Sequence, residues 1–92
     1  MEWKLFADLA EIAGGKEIAV AVEAENPTVG DALDALLAAH PDLEPRVYGD
    51  DGSLSTHVNV LVNGSDVDTL DGLDTDIDEA DELALFPPVS GG

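Results

Sequence analysis

The residues of this chain best suited to chemistry are its last two, Gly91 and Gly92. Glycine has no Cβ, so a backbone that ends in two glycines leaves its carboxylate unhindered and fits a narrow channel. The terminal carboxylate could therefore be delivered to the active site of another protein. An ordinary frayed terminus is the alternative, since glycine is common at chain ends.

The residues before the diglycine distinguish these two interpretations. A short β-type run, Leu83–Phe86, leads into Pro87 and Pro88. Proline fixes φ and has no amide hydrogen, so the strand cannot continue as an interior ladder, and consecutive prolines favour an extended backbone. We therefore predict a folded domain over residues 1–86 and a flexible C-terminal tail over residues 87–92 that projects from it.

Four segments of the chain carry a family resemblance. They are the ending Leu83–Gly92, the opening Trp3–Ala7, the stretch Thr28–Leu33 and the run His57–Gly64. Together they resemble the ubiquitin-like, β-grasp proteins of the MoaD/ThiS type, which are sulfur carriers and modifiers. The similarity is greatest to the small archaeal modifier proteins of halophilic archaea, and it covers essentially the whole chain.

The resemblance implies a route for the terminal carboxylate. An adenylating activating enzyme would use ATP to join the Gly92 carboxylate to AMP. Sulfur would then produce a thiocarboxylate for molybdopterin biosynthesis or tRNA thiolation, or a target lysine would form an isopeptide bond. Gly91 would give access, and Phe86, Pro87 and Val89 would contact the activating enzyme. The chain itself would be no enzyme and would need no cofactor.

The same resemblance implies the classes of partner. They are the activating enzyme, the large subunit of molybdopterin synthase or a tRNA-thiolation enzyme, and the lysines of target proteins. Self-conjugation would use Lys4 or Lys16. Because Lys4 lies within a predicted strand and Lys16 follows a Gly-Gly turn, we expect Lys16 to be the more accessible acceptor.

Composition excludes several other functions. The chain has 92 residues, 21 acidic and 3 basic, with a net charge of −18 and no cysteine. Binding to nucleic acid or to an anionic membrane needs Lys and Arg, so neither is expected. The absence of cysteine excludes disulfides and thiolate metal sites. No apolar run is long enough for a membrane span, and the opening residues lack a signal-peptide pattern, so we expect a cytoplasmic protein.

The acidic charge itself has two explanations, a basic partner or adaptation to concentrated salt. The acids are spread along the whole chain, which favours salt adaptation. We predict that the fold loses cooperativity in dilute buffer and regains it in molar salt, because salt screens self-repulsion. A salt titration followed by circular dichroism tests this, and an unchanged spectrum would contradict it.

Other motifs give weaker signals. The run Asp74–Asp78 is similar to the start of a calcium-binding loop, but Glu79 replaces the required glycine and Leu85 the required bidentate glutamate. We therefore expect no metal site. A passive acidic interaction domain without C-terminal chemistry remains the alternative function.

The hydrophobic pattern predicts an α+β fold. Alternation over residues 2–7, 16–25 and 57–62 predicts strands, and Asn63-Gly64 predicts a tight turn into residues 65–68. Thr28 and Asp31 resemble a capping box for an amphipathic helix that ends before Pro41. With a closing strand at residues 83–86, we predict a β-grasp, ubiquitin-like fold: a mixed sheet of four to five strands covered by one main helix.

Overall fold

The computed structural model describes residues 1–49 and 58–87. Its regular elements follow in chain order: β1 (Glu2–Leu5), α1 (Asp8–Ala13), β2 (Glu17–Ala19), α2 (Val29–Ala39), α3 (Glu44–Val47), β3 (Asn59–Val62), β4 (Ser65–Asp66) and β5 (Glu82–Phe86). Single turns of 3-10 helix occupy Pro41–Leu43, Val67–Thr69 and Gly72–Asp74.

The strands form one mixed sheet in the order β2-β1-β5-β3-β4. β1 and β5 pair in parallel, with Trp3 opposite Leu83 and Leu5 opposite Leu85, whereas the other three pairings are antiparallel. The strand that closes the chain therefore lies at the centre of the sheet, and this confirms the predicted β-grasp topology.

Strand alternation places one face of the sheet in the core. Trp3, Leu5, Leu83 and Leu85 are at most 1% exposed, and the indole Nε1–H of Trp3 donates to the Ala32 carbonyl at 3.1 Å. This buried hydrogen bond connects β1 to α2. The helix covers the same face with an apolar stripe: Val29, Ala32, Leu33, Leu36 and Leu37.

The start of α2 is fixed by a complete capping box, as predicted. The Asp31 amide donates to the Thr28 hydroxyl at 3.3 Å, and the Thr28 amide donates to the Asp31 carboxylate at 3.0 Å. These bonds satisfy two amides, of which one belongs to the unpaired first turn of the helix. The predicted helix and its core-facing stripe are both confirmed.

The first two strands are shorter than their sequence patterns predict. β2 spans Glu17–Ala19 instead of residues 16–25, because it pairs only with β1 in the register Glu2 opposite Ala19. Residues after Val20 have no described residue of β1 beside them. β1 ends at Leu5 because Ala7 adopts a positive φ of 55° and turns the chain into α1.

The hairpin between β3 and β4 has the expected turn. Asn63 and Gly64 both have positive φ, 51° and 86°. A type I′ turn requires this conformation at both central positions, and asparagine and glycine adopt it most readily. β4 has only two residues before the chain enters a 3-10 turn, so the predicted strand over residues 65–68 is half as long as expected.

Candidate functional site

The C-terminal end of β5 is the candidate site, because the predicted tail, residues 87–92, follows it in the sequence. Phe86 is the last residue of β5 and is half-buried, and Pro87 follows it. β5 has a neighbour on each side, β1 and β3, so the point of departure is held by two ladders. The predicted site residues Val89, Gly91 and Gly92 lie outside the described residues.

An apolar surface surrounds this point on the sheet face opposite α2. We call it the open-face patch, and it consists of Phe6, Leu61, Ala84 and Phe86. Phe6 is 48% exposed, and its ring meets that of Phe86 edge to face with centroids 6.1 Å apart. The four patch residues form part of the lining of a shallow groove of about 620 Å³ that Pro87 also lines. Such exposed apolar surface is a common feature of protein docking sites.

The backbone around Ala7 fixes the exposed position of Phe6. The Phe6 amide donates to the Leu85 carbonyl at 3.2 Å, which connects it to the end of β5. Its own carbonyl accepts from Leu9 at 3.2 Å across a turn in which Ala7 has φ 55° and ψ −134°. This conformation is strained for alanine. The tight turn thus holds Phe6 beside Phe86 instead of continuing β1.

One ion pair crosses the rim of the groove. Lys4 Nζ lies 2.7 Å from Glu82 Oε1, and both residues also line the groove. The hydrogen bond to Glu82 and its negative charge raise the pKa of Lys4, with smaller contributions from Glu17 and Glu2. Lys4 therefore stays protonated at the rim of the groove. The other charged residue that lines the groove, Glu82, is negative.

The opposite end of β5 is held by the hairpin turn. Asn63 makes two hydrogen bonds with the backbone of Glu82. The Asn63 backbone amide donates to the Glu82 carbonyl at 2.8 Å, and the Glu82 backbone amide donates to the Asn63 side-chain oxygen at 2.9 Å. Its side-chain amide also donates to the Asp81 carboxylate, which lowers the pKa of Asp81 together with the Asp78 amide. β5 is thus anchored where it begins as well as where it ends.

The two candidate acceptor lysines differ in their surroundings. Lys16 is exposed just before β2, whereas Lys4 is partly buried and ion-paired. This difference agrees with the expectation that Lys16 is more accessible, although the acceptor role of either lysine stays a prediction. The third basic residue, Arg46, pairs with Asp8 and so joins α3 to α1.

Two further properties concern the described part of the chain alone. Within residues 1–49 and 58–87, no group of three or more His, Asp or Glu side chains is placed to hold a metal ion. None of the helices in those ranges has the length and apolar content to cross a bilayer.

The family resemblance placed Phe86 at the site, but sequence reasoning missed three other contributors. Leu61 and Ala84 alternate with buried neighbours in β3 and β5, so period-2 alternation would have placed both on the open face. The Lys4–Glu82 pair had no sequence signal, because 78 positions separate the two residues and only the parallel pairing of β1 with β5 brings them together.

Comparison with known proteins agrees with this fold. The ThiS family model matches residues 3–92. Small archaeal modifier protein 1 of Haloferax volcanii is 60% identical over an alignment of 92 residues that covers 100% of this chain and 100% of its own. A putative sulfur carrier protein of Archaeoglobus fulgidus is 37% identical over 77% of this chain and 81% of its own. The crystal structure of SAMP1 from Haloferax volcanii superposes with a TM-score of 0.88 at 60% identity, covering 100% of this chain and 98% of that one. The chain therefore belongs to the ThiS family of β-grasp proteins and is similar to the small archaeal modifier proteins.

Proposed function

We propose that this chain is a ubiquitin-like protein modifier and sulfur carrier whose Gly92 carboxylate is the reacting group. The observation that carries the proposal is the position of β5. The strand that leads to the diglycine is the central strand of the sheet, and it ends beside the open-face patch. A rigid base, an apolar docking surface and a glycine-ended tail together suit delivery of the tail to a partner's active site.

The chemistry requires an activating enzyme, because a carboxylate is a poor electrophile. That enzyme would join the Gly92 carboxylate to the α-phosphate of ATP, releasing pyrophosphate. A sulfide-level sulfur nucleophile would then displace AMP to give a thiocarboxylate. Alternatively, a lysine amine would displace AMP, lose a proton and form an isopeptide bond. No side chain of this protein takes part in bond making, so it acts as a substrate and carrier.

The names of the relatives support both outcomes. One is a modifier protein and the other a putative sulfur carrier protein. We propose the same two roles here, with an adenylating enzyme as the common partner. A molybdopterin synthase large subunit or a tRNA-thiolation enzyme would be the recipient of sulfur, and protein lysines the targets of conjugation. The alternative of a passive acidic domain has no support among the relatives.

Removal of Gly91 and Gly92 is expected to abolish conjugation completely. Tagged protein would be expressed in its own host with and without the two glycines and run on denaturing, thiol-reduced gels. We expect a ladder of high-mass conjugates that disappears with the truncation, because the shortened tail offers no unhindered carboxylate. Substitution of Ser90→Ala, which leaves the diglycine in place, is the matched control. A ladder that persists in the truncated protein would refute the proposal.

A further inference from the structure

One edge of the sheet is open to the addition of another strand. β2 forms that edge, whereas the opposite edge, β4, has only two residues. Three hydrogen bonds fix the inner side of β2 and its continuation. The Leu5 amide donates to the Lys16 carbonyl at 2.7 Å, the Val20 amide to the Met1 carbonyl at 2.9 Å, and the Met1 ammonium to the Val20 carbonyl at 3.1 Å.

These bonds determine which backbone groups point outward. In an antiparallel ladder, alternate residues direct their N–H and C=O groups toward the neighbouring strand. Lys16 and Val20 point toward β1, so Glu17 and Ala19, which lie between them, direct theirs away from it. Continuing the same alternation by one residue assigns the outward direction to Ala21 as well. No strand in the described ranges lies on that side. Three successive outward positions are therefore free to form a new ladder.

β2 is itself a short edge strand of three residues, but no proline or bulge interrupts it. Natural edges carry prolines, inward-facing charges or bulges. Here the outward positions Ala19 and Ala21 are small and exposed, and neither position is a proline. An approaching backbone meets no side-chain obstacle at either residue.

The two sides of the edge differ in character. On the core side, Ile18, Val20 and Val22 are only partly buried and pack against the core. On the open side, the exposed alanines are flanked by the exposed carboxylates of Glu17 and Glu23. A strand added here would meet apolar side chains on one side and negative charge on the other.

An acidic hollow of about 440 Å³ lies at the far end of this edge. Apolar side chains, including Val22 and Ile77, form part of its lining, and the carboxylates of Asp76, Asp78 and Glu79 also line it. A lysine or arginine could place its alkyl stem on the apolar surface and its charge among the carboxylates.

We propose that the outer edge of β2 binds, by strand addition, an extended segment of a partner protein in which apolar and basic residues alternate. Main-chain hydrogen bonds at Glu17, Ala19 and Ala21 would give affinity, and the alternating side chains would give specificity. The site is separate from the tail, because β1 lies between β2 and β5. Binding there would leave the open-face patch accessible.

A second copy of this chain is a poor occupant of the edge. Each copy carries a net charge of −18. Antiparallel self-pairing that sets Ala19 opposite Ala21 also sets Glu17 opposite Glu23, and directly opposed like charges destabilise a strand pair. Charge complementarity therefore selects a basic partner.

The test uses a short, end-blocked peptide that alternates valine with lysine or arginine, added to the full chain at a salt concentration where it is folded. We expect amide resonances of Glu17, Ala19 and Ala21 to shift and their hydrogen exchange to slow, because these groups gain partners. The Val20 amide, already bonded to Met1, should keep its protection. A peptide with glutamate in place of every basic residue should not bind.

Two changes to the edge backbone make the test specific. Ala19→Pro removes one outward donor and should weaken binding at least about tenfold, as expected for losing a hydrogen bond and leaving its partner unpaired. Ala19→Val keeps the donor and should bind as the parent does. N-methylation of alternate peptide amides should produce a similar loss, and this arm decides the question if Ala19→Pro unfolds the domain.

Four results would overturn the proposal. They are equal binding of the acidic peptide, undiminished binding after both backbone changes, perturbation concentrated at Phe6 and Phe86 instead of β2, and sedimentation showing that the edge is occupied by a second copy. Because the peptide assay needs no activating enzyme and no diglycine, its outcome is independent of the proposed C-terminal chemistry.

Discussion

Substitution of Phe6→Asp is expected to reduce adenylation of the tail at least about thirtyfold while the domain stays folded. Phe6 is the most exposed member of the open-face patch and touches Phe86 at the base of the tail. A carboxylate there would remove an aromatic anchor and bury an unpaired charge when the activating enzyme docks. Losing such an anchor costs about 2 kcal/mol or more, which is about thirtyfold in affinity.

The matched control for this prediction is Leu70→Asp. Leu70 is 46% exposed, nearly the same fraction as Phe6, but it does not line the groove beside the tail. Both variants replace an exposed apolar side chain and add one negative charge to a chain of net charge −18, so they are matched in charge and in exposure. The measurement is the rate of acyl-adenylate formation by the activating enzyme at subsaturating carrier. Equal rates for the two variants would contradict the assignment of the open-face patch as the docking surface.

Substitution of Trp3→Ala is expected to have the largest effect on stability. Trp3 is fully buried and donates its indole N–H to the Ala32 carbonyl of α2. Truncating a buried tryptophan costs about 3–5 kcal/mol, and domains of this size have about 5–15 kcal/mol in total. The free energy of unfolding should fall by about 3–5 kcal/mol, and the fold should be lost in marginal salt.

Two further variants separate packing from exposure. Trp3→Phe keeps most of the apolar volume but removes the donor, so it should cost about 1–2 kcal/mol. Phe6→Ala removes an exposed ring and should cost less than about 1 kcal/mol. Urea denaturation in molar salt measures the stability of all these variants. It is followed by far-UV circular dichroism instead of tryptophan fluorescence, because Trp3 is the only tryptophan and is replaced in two of the variants. A small effect of Trp3→Ala would contradict its place at the centre of the core.

Local sequence signals predicted most of the fold because they depend on near neighbours. The capping box at Thr28, the turn at Asn63-Gly64 and the β-type run Leu83–Phe86 each need only a few consecutive residues. The position of β5 at the centre of the sheet came from the family resemblance instead. Parallel pairing with β1 joins residues some 80 positions apart, and no local pattern contains that information.

The lengths of the first two strands were predicted wrongly for a related reason. Residues 21–25 keep the alternation of a strand, but a strand requires a partner, and the pairing of β1 with β2 places none beside them. At the end of β1, Ala7 gives no local warning of the positive φ that it adopts. The candidate site was therefore only partly predictable. Phe86 was expected from the family resemblance, whereas the Lys4–Glu82 pair depends on tertiary pairing.

The measurement that tests the central proposal most directly is the mass of the C-terminal peptide. No lysine or arginine follows Arg46, so cleavage after basic residues would leave a long C-terminal fragment. Glu82 is the last acidic residue, so cleavage after glutamate releases the short fragment Leu83–Gly92. Mass spectrometry of the free pool and of conjugates isolated from the native host would locate any modification. We predict sulfur in place of oxygen at the Gly92 carboxylate in the free pool, and Gly92 amide-linked to lysine in conjugates. An unmodified Gly92 in both pools, or attachment through any other residue, would contradict the account.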